Sequence, residues 1–203
     1  MPKLRHASAM TDLHELPVEA LIDEAWARLV AGVGARHPFH LPVVACLDPA
    51  GAVTARTVVL RYASAETWTL GFHTDARGPK ARALREQRGV AWVVYDPSCS
   101  LQVRADSTAS VHVGDEVARA AWEATNHGSR RCYLMGPAPG DRLDRAERGD
   151  VGTDYSMADT QPAFANFCVV RCQVQRLEWL HLSAQGHRRA ELLPDGRVSW
   201  LAP

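Results

Sequence analysis

The stretch Ala55–Lys80 gathers four cationic side chains where a strand-like run gives way to a turn and then to a helix-like run. They are Arg56, Arg61, Arg77 and Lys80. A cation, a glycine and the first turn of a helix together offer a phosphate a positive charge, backbone N–H donors and a favourable dipole. The chemistry predicted here is anion binding, and the alternative is a set of solvated surface charges.

Arg56 and Arg61 lie in one predicted strand, Ala52–Tyr62. Side chains alternate between the two faces of a strand, so these arginines point to opposite faces unless a bulge intervenes. They are therefore expected to serve two ends or two faces of one ligand, or else to be charges at a sheet edge.

A second basic cluster lies near the C-terminus, where His187, Arg188 and Arg189 follow Gly186. Histidine and arginine side chains both donate hydrogen bonds to anionic groups. This cluster predicts either a contact with an anionic ligand or an exposed basic turn.

The overall charge argues against several classes of function. Lys and Arg number 23, as do Asp and Glu, so the net charge is zero. A general binder of nucleic acid or of anionic membranes is therefore not predicted. No stretch approaches the roughly 18 apolar residues of a membrane span, and the N-terminus has no signal-peptide core. The five cysteines form no C-x-x-C pair, so we expect reduced thiols in a cytoplasmic protein.

Several familiar motifs are missing from the sequence. It contains no G-x-G-x-x-G, no G-x-x-x-x-G-K-[ST] and no G-x-S-x-G, so Rossmann, P-loop and serine-hydrolase sites are not predicted. The nine histidines include no H-x-x-x-H pair, and no metal site is predicted.

The hydrophobic pattern predicts a helix at about residues 17–34, followed by strands with short helices between them. Strands are predicted at 41–48, 52–62, 67–74, 89–96, 100–114, 164–182, 187–193 and 197–203, and helices at 79–87 and 115–125. Residues 126–130 and the acidic and basic segment 136–162 are predicted as loops. Seven or eight strands without βαβ alternation favour a mainly β, closed or partly closed antiparallel barrel over about 41–203, in a single domain 1–203.

Four motifs, in this order, resemble the pyridoxamine 5′-phosphate oxidase family of FMN-binding split barrels. They are RTVVLR at 56–61, FHTDARGPKA at 72–81, LQV at 101–103, and EWL with GHRRA at 178–190 before a final WLAP. The resemblance covers about Val43 to Pro203 and is greatest to the shorter, oxidase-related branch. It implies an antiparallel split β-barrel and a homodimer that holds FMN at the subunit interface.

The resemblance also implies roles for individual residues. Arg56 and Lys80 would bind the FMN phosphate, Gln102 would hydrogen-bond the flavin, and Arg61 would lie near the ring and the substrate. The full cofactor-binding set is Arg56, Thr57, Val58, Val59, Leu60, Arg61, His73, Thr74, Arg77, Lys80, Gln102 and Arg189. The substrate-binding set is His187 with Arg130 or Arg131.

The sequence departs from the family pattern at three places. The family's Ser-Arg before the phosphate-binding lysine is Gly78-Pro79, which leaves Arg77 as the candidate replacement cation. At the position where the family's C-terminal motif has a tryptophan, this sequence has Leu180. The family's Tyr…Arg…Ser set for the substrate phosphate has no clean counterpart in residues 126–134, and its glutamine–serine pair from the partner subunit is missing.

The function that the resemblance implies is an FMN-dependent oxidoreductase, in which a small substrate passes hydride to flavin N5. No catalytic residue is assigned. The alternatives are a flavin reductase or a binder of deazaflavin or haem on the same barrel, a non-catalytic flavin carrier or sensor, and an interaction module without flavin.

Overall fold

Nine antiparallel strands form one sheet in the part of the chain that the computed structural model describes, which is residues 12–34, 36–134, 136–145 and 156–203. The strands are β1 (Val43–Leu47), β2 (Val53–Thr57), β3 (Leu60–Ser64), β4 (Thr69–Asp75), β5 (Gly89–Asp96), β6 (Leu101–His112), β7 (Phe167–His181), β8 (Arg188–Leu192) and β9 (Val198–Leu201). The helices are α1 (Leu21–Ala31), α2 (Pro79–Glu86), α3 (Glu116–Ala124) and α4 (His127–Arg130), with short 3-10 segments at Val18–Ala20, Pro38–His40, Arg131–Tyr133 and Ala158–Asn166.

The sheet curls into a split barrel. Its order is β2-β1-β5-β6-β7-β4-β3, and β8 and β9 extend from β7. Strands β2 and β3 lie at opposite ends of this order, yet only Val58 and Val59 separate them in the chain. The sheet must therefore curl until its two ends meet at this connection, which confirms the predicted mainly β, antiparallel split barrel.

The prediction of one strand over Ala52–Tyr62 is wrong. The chain pairs with β1 up to Thr57 and with β4 from Leu60 onward, so its pairing partner changes at the connection. There the Val58 N–H donates to the Pro42 carbonyl oxygen at 2.9 Å. A register shift between Leu60 and Tyr62 follows in β3, and such shifts bend strands at barrel corners.

Helices α1, α2 and α3 occupy the predicted segments. Pro79 is the first residue of α2, as its fixed φ favours. The prediction of a loop at residues 126–130 is wrong, because the Asn126 side chain caps the Ser129 N–H at 2.9 Å and starts α4. The predicted loop 136–162 is partly replaced by the 3-10 segment Ala158–Asn166, and residues 146–155 lie outside the described residues.

Two apolar clusters support the barrel. The larger fills its interior and includes Leu60, Phe72, Trp92 and Cys172. The smaller lies between α3 and the outer face of β7, around Trp122. Strand β7 is consequently buried on both faces over part of its length, and α3 forms a wall over the outer surface of the sheet. None of the described helices has the length and apolar character needed to cross a membrane.

Candidate functional site

Lys80 and Arg56 come together although 24 positions separate them in the sequence. Lys80, at the second position of α2, places its Nζ 4.9 Å from the centre of the Phe72 ring. Burial and, to a lesser extent, the positive charge of Arg56 lower the pKa of Lys80 from 10.5 to about 8. The two cations therefore repel each other in a partly desolvated place, which is an arrangement that an anion stabilises.

Arg56 faces the interior of the barrel. It pairs with the buried Val44 on β1, and its Nη1 donates to the Cys46 sulfur at 3.1 Å and to the Thr54 carbonyl oxygen at 3.4 Å. None of the ion pairs among the described residues includes Arg56 or Lys80. Their charges are thus not balanced by a carboxylate of the described chain.

Arg77, the candidate replacement cation, is bound to its own turn. Its Nη2 and Nε donate to the two carboxylate oxygens of Asp75 at 2.7 and 3.0 Å, and its Nη1 donates to the Gly136 carbonyl oxygen at 3.0 Å. Asp75 is buried and also accepts the Arg77 backbone N–H. This network orders the turn before Lys80 and already neutralises the charge of Arg77.

The remaining residues of the RTVVLR motif divide between two environments. Thr57 is exposed, whereas Val58 and Leu60 are buried. Val59 lies with Val58 in the connection outside both strands. Arg61 is exposed and lines a cavity between α3 and the outer face of the sheet. Thr74 pairs with Cys168 across β4 and β7, and the Cys168 thiol is among the groups that act electrostatically on Lys80.

Gln102 and Arg189 share one row of the sheet. Gln102 pairs with Leu180, and Leu180 pairs with Arg189, so all three side chains lie on the same face. Arg189 Nη2 donates to Glu178 at 2.9 Å, and this buried carboxylate also accepts from Arg104 at 3.4 Å. The register therefore puts Leu180 on the face of the sheet that carries Gln102 and Arg189.

Trp179, one position earlier, is completely buried on the opposite face. A shift of one residue in a strand reverses the face of a side chain, so Trp179 serves the core.

The Gln102 row and the Arg56 cluster lie on opposite faces of the sheet. Arg56 pairs with Val44, which pairs with Trp92, which pairs with Ala105. Gln102 is three residues from Ala105 on the same strand and therefore faces the other way. A single copy of the chain does not bring these two groups of predicted cofactor ligands together.

A cavity of about 590 Å³ separates α3 from the outer face of the sheet. His73 lines it and packs edge-on against Phe167, with 4.8 Å between ring centres. Burial and, to a lesser extent, the positive charges of Arg61 and Arg171 lower the pKa of His73 to about 4. The sequence pattern missed Arg171, although an arginine in the apolar run of β7 is a signal that could have identified it.

The three predicted substrate residues are dispersed. Arg130 is buried, and its guanidinium donates to the carbonyl oxygens of Trp122 at 2.6 Å, Thr125 at 3.0 Å and Glu123 at 3.3 Å. Arg131 begins the 3-10 turn that follows.

The third residue, His187, is exposed in the turn before β8, where its Nδ1 accepts the Ser183 N–H at 3.2 Å. Arg130 thus binds the carbonyl oxygens at the C-terminal end of α3. None of the described contacts joins it to His187. Within the described residues, no three His, Cys, Asp or Glu side chains form a group suited to a metal.

The class of protein defined by this fold is the split-barrel domain. Residues 23–113 match the family model described as pyridoxamine 5′-phosphate oxidase, FMN-binding domain. In this match and in its fold, the chain is similar to the pyridoxamine 5′-phosphate oxidase-like family. A search of curated proteins found no significant sequence match.

Solved structures show the same fold at low sequence identity. An FMN-binding, pyridoxamine 5′-phosphate oxidase-related protein from Nostoc punctiforme is 20% identical with a TM-score of 0.67, and the alignment covers 89% of this chain and 96% of that one. PhzG from Burkholderia lata, solved with tetrahydrophenazine-1-carboxylic acid, is 15% identical with a TM-score of 0.66, over 94% and 95% of the two chains.

A heme binding protein from Mycobacterium smegmatis is 19% identical with a TM-score of 0.53, over 89% of this chain and 60% of that one. Because these neighbours hold different ligands, the fold alone does not select the ligand of this chain.

Proposed function

We propose that this protein binds FMN and acts as an oxidoreductase on a small substrate. The observation that carries the proposal is the pairing of Lys80 with Arg56, two cations without a carboxylate partner in the described chain. A phosphate monoester bears a charge of about −2 at neutral pH and accepts several hydrogen bonds, so it matches this pair in charge and in donors. When bound, FMN supplies a ring that accepts hydride at N5.

The residues of the chain then have distinct tasks. Lys80 and Arg56 hold the phosphate, while the Asp75–Arg77 network keeps the turn before Lys80 in place. Gln102 and Arg189 offer hydrogen-bond donors to the ring, and Glu178 orients Arg189 through the 2.9 Å contact. The protein contributes binding, orientation and electrostatics, which is its usual share in a flavin enzyme.

A homodimer completes the site in this proposal. Gln102 and Arg189 face away from Arg56 in one chain, so a second copy is needed to present them to the same ligand. The face that carries them also exposes an apolar side chain, since Tyr95 pairs with Gln102 and is 45% exposed. Aromatic side chains of this kind are enriched in subunit interfaces.

The first experiment identifies the cofactor. The purified full-length chain is denatured, and the released ligand is identified by mass spectrometry and absorbance. The apoprotein is then titrated with FMN and with riboflavin, which lacks the phosphate. We expect FMN to bind far more tightly than riboflavin. Recovery of haem or deazaflavin instead, or equal affinity for FMN and riboflavin, would refute the assignment of FMN.

The dimer is tested by mixing two defective variants, Lys80→Met and Gln102→Ala. If each site takes Lys80 from one subunit and Gln102 from the other, random re-association restores about one quarter of the FMN sites. If both residues serve one ligand within the same subunit, mixing restores no sites. The oligomeric state is measured in parallel by analytical ultracentrifugation.

A flavin carrier or reductase on the same barrel is the second candidate. It is favoured by Arg130, whose guanidinium is already bound to three carbonyl oxygens and is thus not presented to a substrate phosphate. Anaerobic reduction of the bound flavin distinguishes the candidates. Reduction by pyridoxamine or pyridoxine phosphate supports an oxidase, reduction by a nicotinamide donor supports a reductase, and no reduction by any donor supports a carrier.

A further inference from the structure

Ser110, His112 and Asp115 form a chain of hydrogen bonds at the end of β6. Ser110 Oγ lies 2.9 Å from His112 Nε2, and His112 Nδ1 lies 2.8 Å from Asp115 Oδ2. This is the order of contacts in a Ser-His-Asp triad, which is recognised by geometry and roles and not by position in the sequence. Such a triad does not require the G-x-S-x-G motif that this sequence lacks.

The local structure brings these three side chains together. Ser110 and His112 are two residues apart in β6 and therefore share a face. Gly114 then adopts a φ of 71°, which glycine does without steric cost, and the chain turns so that Asp115 becomes the N-cap of α3. Asp115 Oδ1 accepts the Ala118 N–H at 2.9 Å. The cap thus fixes the carboxylate and leaves its Oδ2 to His112.

The contacts also determine where the protons lie. Burial acts to raise the pKa of Asp115, but the Ala118 N–H and His112 outweigh it, so this pKa is lowered. The ionised carboxylate only accepts hydrogen bonds, so His112 Nδ1 carries a proton and Nε2 of the neutral imidazole is an acceptor. The Ser110 hydroxyl then donates to Nε2, since its contact with the Arg171 carbonyl oxygen is longer, at 3.4 Å. This is the tautomer that a general base needs.

A cavity of about 210 Å³ opens beside Ser110, between the C-terminal end of α2 and β6. Leu84 and Val111 line it with apolar groups, and the exposed Arg85 and Arg88 line it with cations. No Asp or Glu is found among the described residues of this lining. Guanidinium groups bind carboxylates with charge-assisted hydrogen bonds. The cavity therefore suits a small ester that also carries a carboxylate.

We propose that Ser110 is the nucleophile of a second activity, the hydrolysis of small anionic esters, with His112 as general base and Asp115 as a positioning residue. Ser110 Oγ bonds to the ester carbonyl carbon while its proton passes to His112 Nε2. The bond from that carbon to the alkoxy oxygen then breaks, and the alcohol leaves with the proton from His112.

Water completes the cycle. It attacks the acyl group on Ser110, gives a proton to His112 Nε2, and the acyl–oxygen bond to Ser110 breaks as that proton returns to Oγ. The net reaction converts an ester and water into a carboxylic acid and an alcohol. Arg85 and Arg88 supply positive charge beside the oxyanion that develops in both steps. The activity uses none of the residues proposed to bind FMN and is independent of that function.

The first measurement is covalent labelling of the purified full-length protein by diisopropyl fluorophosphate. An activated serine hydroxyl displaces fluoride from the phosphorus of this probe. Intact mass spectrometry gives the rate of labelling, and peptide mapping gives its position. We expect one label, on Ser110. Ser199→Ala removes another exposed serine, from β9, and should be labelled at the wild-type rate.

Two variants test the partners of Ser110. His112→Gln removes the base and should slow labelling about 100-fold or more. Asp115→Asn keeps an equally preferred N-cap residue, but its amide donates to His112 Nδ1 and so moves the imidazole proton to Nε2. It should slow labelling about tenfold or more at an unchanged Tm. A purely structural role of Asp115 would instead change Tm and leave the rate of labelling as it is.

Turnover is measured by release of 4-nitrophenolate from two esters, 4-nitrophenyl acetate and the 4-nitrophenyl half-ester of succinate, which adds a carboxylate. If Arg85 and Arg88 bind that carboxylate, KM for the succinate half-ester should be about tenfold lower at low ionic strength. Arg88→Gln should remove most of this preference, and added salt should reduce it.

The activity is refuted if Ser110 is not labelled, or if His112→Gln is labelled as fast as the wild type. Equal KM values for the two esters would overturn the anionic class of substrate. Titration of the same protein with FMN reports on the proposed function separately. Labelling of Ser110 without FMN binding refutes that function alone, and FMN binding without labelling refutes this activity alone.

Discussion

Replacement of Lys80 by methionine should stabilise the apoprotein and weaken FMN binding at the same time. Methionine keeps a long apolar stem and removes the charge. In the folded apoprotein that charge is disfavoured by burial and by Arg56, which lower the Lys80 pKa from 10.5 to about 8. A charge that destabilises the empty site and stabilises the loaded one is the expected signature of an anion-binding lysine.

The magnitude follows from the pKa shift. A drop from 10.5 to about 8 corresponds to at most about 3 kcal/mol of unfavourable charging. Solvent around the half-buried side chain reduces this value, and loss of the contact with Phe72 offsets part of the gain. We therefore expect about 1–2 kcal/mol of net stabilisation at pH 7, which raises Tm by about 2–8 °C for a chain of this length.

The sign of the pH dependence is specific to a lowered lysine pKa. Below pH 8 the lysine is protonated in both states, so the folded protein bears the full cost. Between about pH 8 and 10.5 the unfolded state binds more protons than the folded state, and the contribution of Lys80 to stability rises with pH. The stability difference between Lys80→Met and the wild type should therefore shrink across this window.

Binding is measured by flavin fluorescence with FMN and riboflavin. Loss of one charge-assisted contact should weaken FMN binding about 10- to 100-fold and leave riboflavin binding unchanged. Arg85→Met, which removes an exposed charge from the same helix, is the matched control and should change neither property substantially. A lower Tm of the Lys80→Met apoprotein, or an unchanged preference for FMN over riboflavin, would refute this reasoning.

Three other substitutions test separate parts of the structure. Arg130→Met should destabilise the fold by about 2–3 kcal/mol in urea unfolding, because three carbonyl oxygens each lose a charged donor. Weaker substrate binding at unchanged stability would instead assign the residue to the substrate. Glu178→Gln should cost about 1–3 kcal/mol and weaken FMN binding, since the buried carboxylate orients Arg189 and Arg104; wild-type FMN affinity would argue against that orienting role. The pKa of His73 is lowered to about 4 in the folded protein, so the free energy of unfolding of the wild type falls as the pH falls from about 6.5 to about 4. His73→Gln should reduce this dependence on pH. If the variant loses stability with pH as steeply as the wild type does in this window, the burial of a neutral imidazole is contradicted.

The sequence determined the parts of this protein that depend on local pattern. Alternation and turn residues predicted the strands, and Pro79 marked the start of α2. The order of four short motifs indicated the family resemblance, because a motif can be recognised along the chain without knowing which distant residues it contacts. The sequence also shows that Leu180 and Trp179 lie on opposite faces of the sheet, since neighbouring side chains along a strand alternate between its two faces.

Only the tertiary structure decided which charges meet and which are already paired. Arg56 and Arg61 belong to different strands because the chain changes pairing partners at Val58–Val59, and this change depends on long-range register. Arg77 pairs with Asp75, whereas Lys80 faces Arg56 without a carboxylate in the described chain, and no local pattern distinguishes these two cations. Hydrophobic periodicity reports which side of an element is buried, whereas charge pairing depends on contacts between elements distant in the sequence, which only the folded chain brings together.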